Sequence, residues 1–440
     1  MNKSSVGSKG ASLFDPVIKG TSVTHTSSKF LYNQAIDAYA GSWLEISQSA
    51  FDHNIACFAD HMESAVGIAI IIKSNGYGHG LETMALLCQN NRQVAWIGTS
   101  TLSEALRICA LGVTKPIAVL SHLDADPNLI HGKNKALARQ RSSSEDIQPV
   151  TDSEKDASGE SELIQYRKRS NIIIAVHDLQ SAQRLSAVAT DTFRVHIKID
   201  TGLSRFGVPV DQAVALIEQI MALPHIEVQG VYTHFAVSGD LAPAYIDAQN
   251  QLFSQVLADL ADRGMHIPLR HAAKSVVAAC VAQTRYSFVR IGAGAYGLCA
   301  QESRLALRQI LTWKARIMHI RSVSAGAYIG YNRTYQAAKD MRIAVLPVGY
   351  YEGYPLNLSN KGNVFVCSAK QFAPVVGRIC MNQIMIDVTH CSADISVGDE
   401  VELIGDRPGI TIGDLARASG SNNERELVAR LNPLLSRIVV

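Results

Sequence analysis

The chain of 440 residues lacks long apolar runs, closely spaced cysteines and a marked excess of charge of either sign. No run approaches the roughly 20 apolar residues of a membrane-spanning helix, so no membrane partner is expected. A formal net charge of +2 without a long basic stripe argues against nucleic acid as the main partner. The eight cysteines are scattered without a Cys-x-x-Cys pair, so we expect reduced thiols, a cytoplasmic location and no metal site.

Two segments have compositions unlike the rest of the chain. Residues 1–40 contain lysines and many serines but not the apolar core of a secretory signal, so we interpret them as an N-terminal extension and expect no export. Residues 132–169 are rich in Ser, Lys, Arg, Glu and Asp. Such a segment cannot bury enough apolar surface to offset its ordering entropy, which predicts a disordered surface insertion.

Residues 41–312 alternate short apolar runs with longer amphipathic stretches. About eight such units in roughly 250 residues favour a (β/α)8 TIM barrel over an open parallel sheet. The predicted strands are 43–46, 67–72, 94–98, 116–120, 171–176, 193–199, 226–232 and 288–291. The predicted helices are 81–89, 102–111, 179–187, 210–221 and 244–262, the last with Ala248, Leu252, Val256 and Leu260 on one face.

Residues 313–440 follow a different pattern, in which apolar and polar residues alternate. A period of two is typical of strands with one buried face. Glycine-containing turns at 359–362 and 405–409 separate these strands. The sequence therefore predicts a mainly β C-terminal domain after the barrel. The alternating apolar residues are Trp313, Ala315, Ile317, Val364, Val366, Val401 and Leu403.

Lys73 follows the apolar run 68–72 and opens the glycine-rich turn 73–80, which also contains Tyr77. A lysine at the rim of an apolar layer is partly desolvated, which favours the neutral, nucleophilic amine. Such an amine forms Schiff bases with carbonyl compounds. An ordinary surface lysine beside a flexible turn explains this segment alone equally well.

Three later motifs again bring polar residues to the ends of predicted strands. Arg205 follows the strand 193–199, His234 follows 226–232, and Arg290 lies in 288–291. Because the chemistry of a TIM barrel gathers at the carboxyl ends of its strands, these residues and Lys73 are expected to face one site. The glycine-bearing turn after Arg290, together with the Ser275 hydroxyl, could hold a phosphate group. Each motif alone is weak evidence.

Taken in order, these motifs resemble those of the alanine racemases, which are barrel-type (fold type III) pyridoxal-phosphate enzymes. Segments 330–335, 347–355 and 376–383 extend the resemblance, which covers 43–440 apart from the charged insertion. It implies an isomerase that interconverts L- and D-alanine with pyridoxal 5'-phosphate as cofactor. It also implies a homodimer with active sites completed across the interface, supplying D-alanine for peptidoglycan.

The resemblance further implies a role for each matched residue. Lys73 would hold the cofactor covalently, and Tyr331 from the β domain of a partner subunit would be the second catalytic group. The two would act on opposite faces of the substrate, and nearby arginines would have to lower two ordinary pKa values near 10. The resemblance also implies phosphate binding by Tyr77, Ser275, Gly292 and Ala293. Arg290 would contact the ring nitrogen, with His234 hydrogen-bonded to Arg290. Arg205 and Met381 would bind the substrate, and Lys198 would be carbamylated.

Three positions depart from the family pattern. Asn382 stands where Asp is common, which removes a negative charge near the substrate pocket and predicts broader side-chain tolerance, with serine next after alanine. Lys198, in contrast, resembles the alanine-specific branch. Lys274 stands where Asn is usual, and Arg425 stands where a tyrosine binds phosphate, a contact that arginine can replace.

Two other functions are compatible with part of the pattern. A basic-amino-acid decarboxylase shares the barrel and β domain, and release of CO2 would identify it. A non-catalytic pyridoxal-phosphate carrier usually lacks the β domain. A cofactor-loaded protein that does not exchange the alanine Cα hydrogen would favour the carrier.

Overall fold

The computed structural model describes residues 41–121, 171–189, 191–237, 242–391, 394–421 and 423–440. The predicted extension at 1–40 and the predicted insertion at 132–169 lie outside the described residues. Strands are numbered along the chain as β1 Ser42–Ile46, β2 Gly67–Ile71, β3 Val94–Thr99, β4 Ile117–Val119, β5 Ile172–Val176, β6 Phe193–Asp200, β7 Val208–Pro209, β8 Ile226–Tyr232, β9 Leu269–His271, β10 Phe288–Ile291, β11 Leu311–Arg316, β12 His319–Val323, β13 Tyr328–Ile329, β14 Tyr335–Gln336, β15 Met341–Leu346, β16 Asn363–Val366, β17 Gln371–Pro374, β18 Ile384–Asp387, β19 Glu400–Ile404 and β20 Ser436–Val439.

The helices flank these strands in sequence. They are α1 Gln48–Asp60, α2 Leu81–Asn90, α3 Leu102–Ala110, α4 Leu179–Val188, α5 Val210–Met221, α6 Pro243–Asp262, α7 Ser275–Cys280, α8 Ala300–Ser303, α9 Ile412–Ala418 and α10 Glu424–Ala429. None of the helices within the described ranges is long and apolar enough to cross a membrane. No disulfide joins any of the eight cysteines, all of which lie in the described residues.

Eight parallel strands form a nearly closed barrel in the order β10-β2-β3-β4-β5-β6-β8-β9, which confirms the predicted (β/α)8 architecture. Strands such as β5 are buried along their whole length, because a barrel strand faces side chains inside and helices outside. The barrel closes where its two edge strands, β10 and β9, meet. There the Arg290 N–H donates to the Ala273 carbonyl and the Ser287 N–H to the Arg270 carbonyl, both at 3.0 Å.

The prediction that residues 43–46 belong to the barrel region is wrong. Strand β1 pairs antiparallel with β11 and parallel with β20, so it lies in a sheet of the β-rich region. The eighth barrel strand is β9, only three residues long with the sequence Leu-Arg-His. This segment has no apolar run that would predict a strand, because a strand this short carries too few side chains for a pattern.

The predicted helix 244–262 exists, but its buried face is only partly the predicted one. Val256 and Leu260 are buried, whereas Leu252 is exposed. The other buried residues of α6 are Ile246, Gln249 and Phe253. A strict spacing of four advances about 40° around a helix at each step, so four such residues cannot all share one narrow face.

The C-terminal region is built mainly from strands, as predicted. A six-stranded sheet has the order β17-β16-β19-β11-β1-β20, and a three-stranded sheet has the order β12-β15-β18. The predicted alternating apolar residues of β11, β16 and β19 are buried. Because β1 and the C-terminal β20 are neighbours, both ends of the described chain are fixed in the same sheet.

Candidate active site

Lys73 follows β2 and begins the five-residue turn Lys73–Tyr77. Ser74, Asn75 and Gly76 have φ angles of 56°, 55° and 61°, a left-handed conformation that costs a residue with a side chain about 1–2 kcal/mol. The turn is held by hydrogen bonds from the Ser74 N–H to Glu104 Oε1 (2.7 Å) and from the Leu81 N–H to Asn75 Oδ1 (2.9 Å). Neighbouring elements therefore stabilise a strained turn directly after the lysine.

The environment of Lys73 favours an uncharged amine. Burial lowers its pKa most, the charge of Arg205 lowers it further, and Glu104 partly opposes both. Burial and Arg205 also lower the pKa of Lys198, to about 8, and its Nζ donates to the Phe206 carbonyl. Arg205 itself is exposed beyond the end of β6, so its charge acts on two lysines at the same end of the barrel.

Arg290 is buried in β10 and surrounded by neutral acceptors. It donates to His271 Nδ1 at 2.5 Å, to the carbonyls of Thr233 and Ala272 at 2.8 and 2.9 Å, and to His234 Nδ1 at 3.2 Å. Burial lowers its pKa to about 10, so it stays cationic at neutral pH. Within the described residues, its Nε–H and one Nη1 hydrogen have no partner, which leaves them available to a ligand.

Two histidines in this network were not predicted as site residues. A guanidinium only donates, so His271 accepts at Nδ1 and carries its proton on Nε2, from which it donates to His196 Nδ1 at 2.9 Å. Burial and the charge of Arg290 lower the pKa of both rings, which keeps them neutral. His196 lies in the predicted strand 193–199 and His271 lies four residues before Ser275. The two are 75 residues apart in sequence, and only the barrel brings them together.

Ser275, Tyr77 and the glycine turn after Arg290 form a compact cradle. Ser275 Oγ accepts from the Gly292 N–H (3.0 Å) and the Gly294 N–H (3.2 Å). A Cβ placed on Gly292 would lie 2.6 Å from the Tyr77 hydroxyl, so only glycine allows this approach. Ala293 is buried and begins the short turn Ala293–Tyr296. The Tyr77 ring stacks on Tyr296 with centroids 4.8 Å apart.

Tyr331 and Met381 lie in the β-rich region and are not joined to this cluster. Their side chains are 66% and 54% exposed. Among the residues that the structure describes, Tyr331 makes no hydrogen bond or ring contact with a barrel residue, and the Met381 carbonyl accepts from the Tyr351 N–H at 2.9 Å. The predicted site residues of the barrel region, in contrast, lie at or just after the carboxyl ends of the barrel strands.

These features define a (β/α)8 protein with a partly buried amine and a cradle of hydroxyl and main-chain N–H groups at the ends of its barrel strands. The model of the alanine racemase N-terminal domain matches residues 46–137 and 150–300, and that of the C-terminal domain matches 310–439. An alanine racemase from Halothermothrix orenii is 32% identical over 392 residues, covering 87% of this chain and 92% of that protein. The chain therefore belongs to the alanine racemase family and is an amino-acid racemase of that class.

Solved structures agree with this assignment. An alanine racemase from Clostridium difficile 630 has a TM-score of 0.77 and 25% identity, covering 91% of this chain and 96% of that one. A histidine racemase from Leuconostoc mesenteroides subsp. sake has a TM-score of 0.70 and 27% identity, covering 91% and 98%. The family model is interrupted at 138–149, inside the charged segment 132–169.

Proposed function

We propose that the chain is a pyridoxal-5'-phosphate-dependent alanine racemase that uses Lys73 and Tyr331 of the partner subunit as its two acid–base groups. The observation that carries the proposal is the placement of the Lys73 amine at a barrel strand end. There it shares the site with the Ser275 cradle and a buried, cationic Arg290.

The residues fit this cofactor at each of its functional groups. The phosphate fits the Ser275 hydroxyl, Tyr77 and the main chain of Gly292 and Ala293, where a side chain at Gly292 would block the approach. The ring nitrogen is an acceptor for the N–H groups of Arg290 that have no partner among the described residues. His234 accepts from Arg290 and so helps to fix its orientation. The aldehyde matches the amine of Lys73.

When bound, the cofactor acts as an electron sink that acidifies the Cα–H bond of an amino acid. Lys73 would take the Cα proton from one face, and Tyr331 of the partner subunit would deliver a proton to the other. Burial and Arg205 lower the pKa of Lys73, which suits a base near neutral pH. Arg205 would bind the substrate carboxylate. Arg290 donates rather than accepts, so it would hold the ring nitrogen as an unprotonated acceptor, which would limit side reactions.

A homodimer is part of the proposal, because Tyr331 makes no hydrogen bond or ring contact with a barrel residue within the described part of its own chain. Like Tyr331, the large side chains of Tyr350 (44%), Tyr351 (54%) and Met381 (54%) are exposed in the β-rich region. The Tyr350 and Tyr351 N–H groups donate to the carbonyls of Cys380 and Met381, so these segments are adjacent. Grouped exposed aromatic side chains are typical of a protein interface.

Alanine is the proposed substrate, with serine next. Asn382 donates to Glu352 at 2.8 Å, so this uncharged side chain is fixed rather than free to pair with a substrate. The structural neighbour named as a histidine racemase indicates that a related barrel accepts a larger side chain. We further propose that the product, D-alanine, supplies peptidoglycan precursors in a bacterial cytoplasm.

Subunit mixing tests the shared site. Lys73→Ala and Tyr331→Phe chains are each expected to be nearly inactive alone. A mixed dimer contains one site with both native groups, so random mixing should restore about a quarter of the parent activity. No restoration, with mixed dimers demonstrated by mass spectrometry, would refute the assignment of the two groups to different chains.

A second measurement distinguishes the rival functions. The parent protein should exchange the alanine Cα hydrogen for deuterium from solvent and invert the configuration. Release of CO2 from lysine or arginine would favour a decarboxylase. Bound cofactor without any exchange would favour a carrier.

A further inference from the structure

We propose that Lys274 and Arg425 form a pair of cations that binds the phosphate group of the cofactor, adding charge to the hydroxyl and main-chain cradle. The inference rests on the proposed function, because it concerns the same cofactor. It assigns phosphate binding to two residues at which this chain departs from the family pattern.

The packing of α10 brings Arg425 to the cradle. A Cβ on Gly78 would lie 1.8 Å from the Val428 carbonyl oxygen, so α10 rests directly against the turn that follows Lys73. Arg437 fixes the same turn, since its Nη2 donates to the Gly78 carbonyl at 2.9 Å. Arg425 lies three residues before Val428 and therefore on the same side of the helix.

Electrostatics indicates that the charge of Arg425 reaches the cradle. Burial raises the pKa of Tyr77, and the guanidinium of Arg425 is the largest influence that opposes this rise. The Tyr77 hydroxyl in turn lies against Gly292, whose N–H donates to Ser275. Arg425 is thus near the hydroxyl that closes one side of the cradle.

Lys274 approaches the cradle from the opposite element. It lies between Ala273, whose carbonyl accepts from the Arg290 N–H at 3.0 Å, and Ser275, whose hydroxyl forms the cradle. Burial lowers the pKa of Lys274 to about 8, and Arg425 is the strongest of the neighbouring charges that lower it further. The two cations are therefore close enough to interact electrostatically across the site.

Neither cation forms an ion pair with a carboxylate within the described ranges, although the charge of Arg425 reaches the neighbouring Glu424, where it opposes the rise in pKa that burial causes. Arg425 Nε donates to Asn423 Oδ1 at 3.0 Å. In the described part of the chain, the terminal nitrogens of Arg425 and the amine of Lys274 make no hydrogen bond. Arg430, just after the same helix, is instead paired with Glu426 at 2.7 Å. Two like charges held near each other repel, and a dianionic phosphate between them would relieve this repulsion.

The test compares two ligands that differ only in the phosphate group. Dissociation constants of pyridoxal 5'-phosphate and of pyridoxal are measured by absorbance and fluorescence titration of the cofactor-stripped full chain. Arg425→Gln and Lys274→Asn should each weaken pyridoxal 5'-phosphate about 10-fold or more. Both should leave the affinity for pyridoxal unchanged and reduce the salt dependence of phosphate-ligand binding.

Matched variants control for charge and folding. Arg430→Gln removes the same charge beside α10 and should change neither affinity, while Arg425→Lys should keep most of the affinity for the phosphate ligand. Arg425 is exposed, so its variants test the proposal even if Lys274→Asn does not fold. Equal weakening of both ligands, or no change in the Arg425 variants, would overturn it. Failure of the parent chain to bind pyridoxal 5'-phosphate would instead contradict the proposed function.

Discussion

Acidification from pH 7.5 to 5.5 is expected to destabilise the fold strongly, because three histidines are buried in the neutral form. His79, His196 and His271 are 0%, 2% and 1% exposed. Burial lowers the pKa of His79 to about 4 and of His196 to about 3, and lowers that of His271 well below its ordinary value. The unfolded chain therefore binds more protons than the folded chain below about pH 6.5, and the free energy of unfolding decreases as the pH is lowered.

The size of the effect follows from the number of buried rings. At pH 5.5, one unit below the ordinary histidine pKa, protonation favours the unfolded chain by about 1.4 kcal/mol per histidine. Three such residues remove about 4 kcal/mol of the free energy of unfolding. This is a large share of the roughly 5–15 kcal/mol that stabilises a typical domain.

Urea unfolding followed by circular dichroism at pH 7.5, 6.5 and 5.5 would measure this loss. One protein concentration must be used throughout, because the proposed dimerisation would contribute to apparent stability. In His79→Phe, the ring should still pack against Tyr296, whose ring centroid lies 4.6 Å from that of His79, while the hydrogen bond to the Tyr77 carbonyl is lost. The acid-induced loss should shrink by about 1.4 kcal/mol, the share of one histidine. Equal stability at pH 7.5 and 5.5 would refute the reasoning, as would an unchanged loss in His79→Phe.

Three further predictions concern the site and its turn. Lys73→Ala should abolish turnover and the visible absorbance of lysine-bound cofactor, so retained colour with normal turnover would contradict its role. Tyr331→Phe should keep cofactor affinity but slow Cα-hydrogen exchange unequally for the two alanine enantiomers; equal loss argues against a face-specific group. Gly78→Ala should lower the melting temperature far more than Gly112→Ala. Both have φ near +82°, but only at Gly78 does a Cβ meet Val428; similar losses would contradict this.

Much of the fold was predictable because the patterns repeat over long stretches. Buried strands such as β5 and helices such as α5 carry a clear apolar period. The strand β9 was missed, and β1 was assigned to the wrong sheet, for related reasons. A short apolar run predicts a strand but not its partners, and Leu-Arg-His is too short to predict even that.

The candidate site divides in the same way. The motifs predicted that Lys73, Arg205, His234 and Arg290 belong to strand ends, which lie at one edge of a parallel barrel. They did not predict the chain of hydrogen bonds from Arg290 through His271 to His196. Nor did the motifs indicate that Arg437, near the C-terminus, holds the turn after Lys73.

By itself, the sequence determined which chemical groups this protein carries and the kinds of element that carry them, since apolar period and turn residues act locally along the chain. Only the tertiary structure decided which of those groups meet and in what state of charge. Contacts between distant residues, such as that of Val428 with the turn at Gly78, depend on how helices and strands pack. Burial then sets the pKa of groups such as Lys73 and His271, and burial is a property of the folded molecule.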